Sequence, residues 1–166
     1  MYILQSETGE KAQELNAGFL LPASIVVILD WVSKQLFWHL GRNFDLIDGI
    51  LRVTLVKNTG AVFGLFQGQR IFFIAASMLA CLVLIWVGLR MPPAERRQRF
   101  AIALILGGAV GNLIDRIYPG EVIDFIDMGI GSHRWYVYNI ADVAVTGGVI
   151  LLLLAYLTAR KRENGG

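Results

Sequence analysis

The chain has 166 residues, of which 55% are hydrophobic and only 17% are charged, and its net charge is +2. A soluble domain of ordinary composition carries about 25% charged residues, and a small soluble protein needs polar residues to cover its surface. The composition therefore excludes a soluble globular domain and a disordered chain, and predicts an integral membrane protein. So small a net charge argues against a nucleic-acid partner.

Four apolar stretches are long enough to cross a bilayer as helices. The polar start of the chain lacks the basic beginning of a secretory signal peptide, so we expect the first stretch to be retained. We assign no role to residues 1–16. We expect a single, mainly α-helical membrane domain over residues 1–166. The predicted spans are residues 17–40, 71–89, 100–117 and 138–159.

Basic residues indicate the orientation of the spans. Four arginines lie between the second and third spans, and three basic residues follow the fourth span. Lys and Arg are enriched in cytoplasmic loops, so both regions and both termini are predicted to be cytoplasmic. Residues 41–70 and 118–137 then lie on the outer side. The basic residues are Arg90, Arg96, Arg97, Arg99, Arg160, Lys161 and Arg162.

The outer segments contain two strand-like runs. LRVTLV at residues 51–56 alternates and is rich in β-branched side chains, which is typical of a short strand. WYVY at residues 135–138 resembles it and carries aromatics suited to the membrane interface. We therefore expect a small sheet on the outer face.

Asp30 and Lys34 are the first charged residues placed within a span, where a charge costs several kcal/mol unless it is paired or hydrated. A spacing of four residues puts them on one helix face, where they can form an ion pair. One interpretation is a structural pair with the lysine reaching outward. The other is a brace for a site or for the head group of a substrate.

A second polar group ends the third span, in GGAVGNLIDR at residues 107–116. Its glycines permit close helix packing in lipid. Asn112, Asp115 and Arg116 are three and four positions apart and cluster on one side of the helix. The pattern indicates either a packing motif with a neutralised helix end or a functional cluster.

Asp124 and Asp142 form the third group. Taken alone, Asp124 resembles an exposed loop carboxylate. Asp142 alone would complement a helix dipole, with Asn139 as the N-cap three residues earlier. Together, two neighbouring carboxylates can share one proton, so that one acts as a base toward water and the other as an acid toward a peptide carbonyl. The sequence alone does not bring the two side chains together.

The usual metal ligands are scarce. The chain has two histidines, His39 and His133, and one cysteine, with neither an HExxH nor a CxxC spacing. We expect no metal, no cofactor and no internal disulfide. Cys81 lies inside the second span and is interpreted as a small packing residue.

Five sequence blocks, in order across the four spans, resemble the lipoprotein signal peptidases, the type II signal peptidases of bacteria. The resemblance extends over residues 25–155. The blocks are LDWVSK at 29–34, NTGAVFG at 58–64, GGAVGNLIDR at 107–116, VIDF at 122–125 and YNIAD at 138–142.

The resemblance implies an aspartyl protease of the bacterial inner membrane. Its fold would be four transmembrane helices with a small sheet and a short interfacial element on the outer, periplasmic face. Its substrates would be prolipoproteins whose cysteine already carries diacylglycerol, cleaved just before that cysteine near the outer membrane–water interface. Membrane lipid would be its other partner, and the enzyme would act as a monomer without a cofactor.

The resemblance also implies residue roles. Asp124 and Asp142 would be the catalytic pair, and Asn139 would orient them. Asp30, Lys34 and Asp115 would support the structure. The remaining implied residues bind or support the substrate, and they are Asn58, Gly60, Asn112 and Arg116.

Three residues depart from the pattern of this family. Trp31 stands where glutamine is common, Lys57 where an aromatic often precedes the asparagine, and Val143 where serine is common. None of them is one of the two aspartates.

Two other function classes fit four spans with polar residues. A small transporter or proton-coupled channel would use Asp30, Lys34, Asp115 and Arg116, with charges near the midplane. A non-catalytic scaffold would need neither Asp124 nor Asp142. Four aromatics either line a lipid or peptide groove or act as interface anchors, namely Phe63, Phe66, Trp135 and Tyr136.

Overall fold

The computed structural model describes residues 2–60 and 68–164, with side chains at residues 18–60, 68–158 and 160. It contains four long helices, and each includes a stretch long and apolar enough to cross a membrane. The predicted spans are confirmed with small shifts at their ends. The helices are α1, Tyr2–Leu40; α2, Arg70–Arg90; α3, Arg96–Ile117; and α4, Ile140–Asn164.

Helix α2 illustrates why the helices end where they do. No charged residue occurs between Arg70 and Arg90, so its whole surface suits lipid. The helix stops at Met91, whose backbone is extended, because the following Pro92 disfavours a helical conformation in the preceding residue. Only Cys81 and Gly88 are buried on α2, and Cys81 packs in the apolar cluster between the helices, as the sequence predicts.

Helix α3 is the central helix and contacts α1, α2 and α4. Its glycines make this possible. A Cβ on Gly107 would lie 2.6 Å from the carbonyl oxygen of Ala23 in α1, and one on Gly108 would collide with the carbonyl oxygen of Ala141 in α4. The predicted close packing is confirmed, because backbones approach where side chains are absent.

The segments that connect α1 to α2 and α3 to α4 form an antiparallel sheet. Its strands are β1, Phe44–Ile47; β2, Leu51–Asn58; β3, Val122–Ile130; and β4, His133–Arg134, in the order β1-β2-β3-β4. The predicted strand at 51–56 is confirmed and extends two residues further. Val56 pairs with Asp124 and Asn58 with Val122, so the end of β2 lies beside the start of β3.

Two sequence interpretations are wrong. Asp124 is not an exposed loop carboxylate, because it lies in β3 and is buried. The strand expected at residues 135–138 is instead the short β4, and only Tyr138 makes an isolated bridge, to Ile126. The tight turn at Gly131, with φ of 58°, pairs Ile130 with His133 and Gly129 with Arg134. The regular pairing of β3 with β4 therefore ends before the aromatic run begins. Two of the predicted groove aromatics, Phe63 and Phe66, lie at residues 61–67, which are outside the described residues.

The contact between α3 and α4 predicts that Gly108→Ala destabilises the protein. Its Cβ would meet the Ala141 backbone and lie 2.7 Å from Val145 Cγ2, and overpacking of this kind typically costs about 1–3 kcal/mol. Thermal unfolding in detergent measures the effect. Gly147→Ala is the matched control on α4, because its Cβ meets nothing within 4 Å. Equal stability of the two variants would contradict this packing.

Candidate active site

Asn139 joins the two aspartates singled out in the sequence. Its side-chain Nδ2 donates to Asp124 Oδ1 at 2.7 Å. Its Oδ1 accepts the backbone N–H of Asp142 at 3.0 Å, and its own backbone N–H donates to Asp142 Oδ2 at 3.2 Å. These last two bonds form a reciprocal cap on α4, so the predicted N-cap is confirmed. Asp142 therefore lies in the first turn of α4, and Asn139 connects it to Asp124.

Asn58 holds the other oxygen of Asp124. Its Nδ2 donates to Asp124 Oδ2 at 3.0 Å, from the last position of β2. Its Oδ1 accepts the backbone N–H of Gly60 at 2.9 Å, so the amide oxygen is occupied and the NH₂ group faces the carboxyl. Both residues named from the NTG block therefore lie at the site.

Asn112 plays the corresponding part for Asp142. Its Nδ2 donates to Asp142 Oδ1 at 2.8 Å. Its Oδ1 lies 3.0 Å from Asn139 Nδ2 and 3.2 Å from Lys34 Nζ. Since that oxygen faces two donors, its amide orientation is determined by its surroundings. Three amides thus hold two carboxylates.

A buried ion-pair triad lies beneath the amides. Lys34 Nζ is 2.6 Å from Asp30 Oδ2 and 2.9 Å from Asp115 Oδ2, and Lys34 is only 2% exposed. The predicted pair of Asp30 and Lys34 is confirmed. The lysine does not reach outward as one interpretation required, because a second carboxylate on α3 meets it inside the protein.

Both carboxylates of the triad also accept backbone N–H groups. Asp30 Oδ1 accepts from Ala141 at 2.9 Å, in the first turn of α4, and Asp115 Oδ2 accepts from Ile123 at 3.2 Å, next to Asp124. The triad therefore connects α1 and α3 with the two segments that carry Asp124 and Asp142.

Arg116 lies at the same end of α3. Its Nη1 donates to the carbonyl of Asn112 at 3.2 Å, and its guanidinium lies 5.3 Å from the ring centroid of Phe73. Arg70 holds the helix end from outside, donating at 2.8 Å to the carbonyls of both Arg116 and Ile117. Sequence reasoning missed Arg70, because no periodic pattern relates residues 46 and 47 positions apart.

The surroundings of Asp124 change its acidity. The residue is 2% exposed, and its burial raises its pKa to about 7, with a further rise from the charge of Asp142. The hydrogen bonds from Asn58 and Asn139 act in the opposite direction but do not cancel the effect of burial. A carboxyl group of this kind can carry a proton near neutral pH.

An apolar pocket of about 910 Å³ reaches the site from one side. The turn before β2, the β3–β4 hairpin, the aromatic run and α4 enclose it, and Asp142 lies on its wall. Trp135 and Tyr136 both line it, which places these aromatics on a groove. Val143, one of the departures from the family pattern, lines it too.

The other departures lie elsewhere. Lys57 Nζ is 3.2 Å from Glu121 Oε2 and 5.1 Å from the ring centroid of Trp38, beside the sheet, and Trp31 is exposed on α1. Among the described residues, no group of three His, Cys, Asp or Glu side chains is arranged to hold a metal ion.

The fold and site define a polytopic membrane protein with a buried polar cluster at one end of its helices. The sequence profile of the signal peptidase (SPase) II family matches residues 22–158. The chain belongs to this family and is a protease that acts on lipoprotein signal peptides, which supports neither the transporter nor the scaffold interpretation.

Named relatives and solved structures agree. The lipoprotein signal peptidase of Geobacillus thermodenitrificans (strain NG80-2) is 37% identical, covering 89% of this chain and 93% of the relative. That of Staphylococcus aureus (strain JH9) is 36% identical, covering 87% and 92%. A structure described as a bacterial membrane enzyme matches with a TM-score of 0.79 and 35% identity, covering 88% of this chain and 90% of the other. The predicted fold class is confirmed, and the chain is a multi-pass protein of the bacterial inner membrane.

The triad predicts that Lys34→Met strongly destabilises the protein. Removing the cation leaves Asp30 and Asp115 buried without a partner, and breaking such a buried pair costs about 3–5 kcal/mol. Unfolding in detergent measures the loss. Lys57→Met is the control: its ion pair with Glu121 is exposed and worth about 1 kcal/mol or less. Similar losses of stability in the two variants would contradict the prediction that the buried triad depends on Lys34.

Proposed function

We propose that the protein is an aspartic endopeptidase that cuts diacylglyceryl-modified prolipoproteins just before the lipidated cysteine. The observation that carries this proposal is the pair of Asp124 and Asp142, joined by Asn139, with Asp142 on the wall of an apolar pocket. Asp124 is buried and able to hold a proton near neutral pH. A pair with one proton supplies an acid and a base at the same time.

The reaction we propose uses a water molecule between the two carboxyl groups. Asp142, held by Asn112 and Asn139, takes a proton from this water, and the resulting hydroxide attacks the peptide carbonyl carbon. Asp124 donates its proton to the carbonyl oxygen. Collapse of the tetrahedral intermediate breaks the C–N bond as the proton held on Asp142 passes to the leaving nitrogen and one hydroxyl proton of the intermediate returns to Asp124.

The remaining site residues have supporting roles in this proposal. The Asn58 amide donates to Asp124, and the backbone N–H of Gly60 fixes the orientation of that amide. Asn139 fixes the spacing of the two aspartates. Arg116 lies at the end of α3, where it can bind a substrate carbonyl. Asp30, Lys34 and Asp115 keep the carrying segments in place.

The charge distribution supports an orientation with both termini in the cytoplasm. The basic residues between α2 and α3 and after α4 lie at the helix ends opposite the sheet, so the sheet and the aspartates would lie near the outer membrane–water interface. We expect the protein to act there as a monomer.

Replacing either aspartate tests the chemistry directly. Asp124→Asn and Asp142→Asn should each reduce cleavage of a diacylated prolipoprotein in detergent by at least about 10²-fold, since each loses a proton-transfer group. Asp45→Asn is the matched control, because Asp45 is an outer-side carboxylate that, among the described residues, forms an exposed ion pair with Arg52. Normal processing by either folded site variant would disprove the dyad.

The raised pKa of Asp124 predicts a distinctive pH dependence of activity. The rate should fall as pH rises above about 7, because the carboxyl group loses the proton that it donates. A profile of kcat/KM that stays level through pH 9 (about two units higher) would contradict this role.

The same raised pKa predicts how the free energy of unfolding changes with pH. The change is opposite in sign to that produced by an ordinary ion-paired aspartate. In the unfolded chain Asp124 loses its proton near its ordinary value of about 4, whereas the folded protein holds it to about pH 7. The free energy of unfolding should therefore fall as pH rises between these values and level off above them. Asp124→Asn should remove this slope in unfolding measured across the range, and an unchanged slope would assign it to other groups.

A reporter fused after Arg162 tests the orientation. We expect it to be active only in a form that functions in the cytoplasm, because the basic tail is retained on that side. Activity of a reporter that functions only outside the cytoplasm would reverse the topology.

A further inference from the structure

We propose that the apolar pocket beside Asp142 holds an acyl chain of the lipidated substrate, and that Gly147 sets the depth available to that chain. The inference rests on the proposed function and deepens it. It assigns the pocket to the lipid rather than to the signal peptide, and it names one residue as the determinant of chain length.

The location of the pocket favours an occupant that comes from the bilayer. Its α4 wall runs down one face of the helix, through Asp142, Val143, Thr146 and Gly147. Five residues of helix correspond to about 7.5 Å, so the wall descends from the carboxylate into the apolar depth of the membrane. The described residues of α1, α2 and α3 contribute nothing to the lining, so this side of α4 is open to lipid.

The backbone of the sheet wall argues against a peptide occupant. The N–H groups of Gly129 and Gly131 donate to the carbonyls of Ile50 and Gly49, at 2.9 and 3.0 Å. Those of Trp135 and Tyr138 donate to Met128 and Ile126, at 2.7 and 3.0 Å. An extended peptide would bring its own N–H and C=O groups to a wall on which these donors are already used, and unpaired backbone groups are costly in an apolar site. An acyl chain has no such groups.

Two large polar side chains on this wall are engaged within the protein. Arg134 donates to the Asp127 side chain at 2.9 Å and to its carbonyl at 2.7 Å. The Tyr138 hydroxyl lies 2.6 Å from Met128 Sδ. The surface left for an occupant is therefore mainly apolar, which suits a hydrocarbon chain.

Gly147 supplies an independent observation. Its neighbour Gly148 is needed for packing, because a Cβ there would lie 2.6 Å from Ile105 Cγ1 and 2.7 Å from the Ala101 carbonyl oxygen in α3. A Cβ on Gly147 would meet nothing within 4 Å, and its backbone is ordinary helix. Glycine is a poor helix former, and neither packing nor backbone conformation requires it here. Its effect is to leave the pocket deeper at that point.

The test compares acyl-chain lengths with the full-length enzyme in mixed micelles. Synthetic prolipopeptides of one sequence carry diacylglycerol with either palmitoyl or butanoyl chains, the latter too short to span the wall from Asp142 to Gly147. Gly147→Leu should lower kcat/KM for the palmitoyl substrate by about tenfold or more, because the new side chain displaces the end of the long chain from apolar contact. The butanoyl substrate should be cleaved at the wild-type rate, because its chains end above Gly147.

Matched variants distinguish a change in pocket depth from an unspecific effect of substitution on α4. Val149→Leu lies on an exposed face of α4 outside the pocket and should change neither substrate. Gly147→Ala should give a smaller effect in the same direction, and it provides the test if the leucine variant does not fold. No selectivity in either variant would overturn the inference. Equal loss for both chain lengths would also overturn it, since it would place the signal peptide in the pocket.

A cross-linking measurement gives a readout independent of rate. A palmitoyl chain with a diazirine near its end, bound to the inactive Asp142→Asn variant, should label residues on the pocket face of α4, with Thr146 among them. Labelling confined to α2 would refute the pocket assignment. Failure of the proposed function is distinguishable, because it would appear as wild-type enzyme unable to cleave either substrate or as cleavage by Asp142→Asn.

Discussion

The assembly of the site depends on one buried cation. A charged lysine in a membrane-spanning helix requires partners, and Lys34 finds two carboxylates, Asp30 and Asp115. Each carboxylate uses its remaining hydrogen-bonding capacity on a backbone N–H, at Ala141 and Ile123. These two positions immediately precede Asp142 and Asp124. The contacts that neutralise the buried charge thus also position the two aspartates of the proposed catalytic pair.

Much of this arrangement follows from local rules, and those parts were predictable. Because only 17% of the residues are charged, the ends of the membrane spans and the polar clusters could be recognised within the apolar sequence. The pairing of Asp30 with Lys34 follows from their spacing on one helix, and the cap by Asn139 follows from its position before α4. Taken singly, Asp124 and Asp142 would have passed as ordinary carboxylates. Their pairing as a base and an acid was proposed from the residues, and the resemblance to a known family then implied the catalytic role.

The contacts that remained hidden join distant parts of the chain. Helical periodicity shows which face Lys34 occupies but not that Asp115 meets it there. Nothing in the spacing indicates that Asn112 supports Asp142, or that Arg70 holds the end of α3. The strand around Asp124 was missed because its short apolar run is buried on both sides, so it lacks the alternation that marks a half-buried strand.

The sequence separation of these contacts has a consequence for biogenesis. Asp30 meets Ala141 across 111 residues, Lys34 meets Asn112 across 78, and Asn58 meets Asp124 across 66. Since α1 precedes α4 in the chain, the cluster around the proposed catalytic pair cannot assemble until the last helix is in place. A partly synthesised chain therefore lacks the contacts that bring Asp124 and Asp142 together.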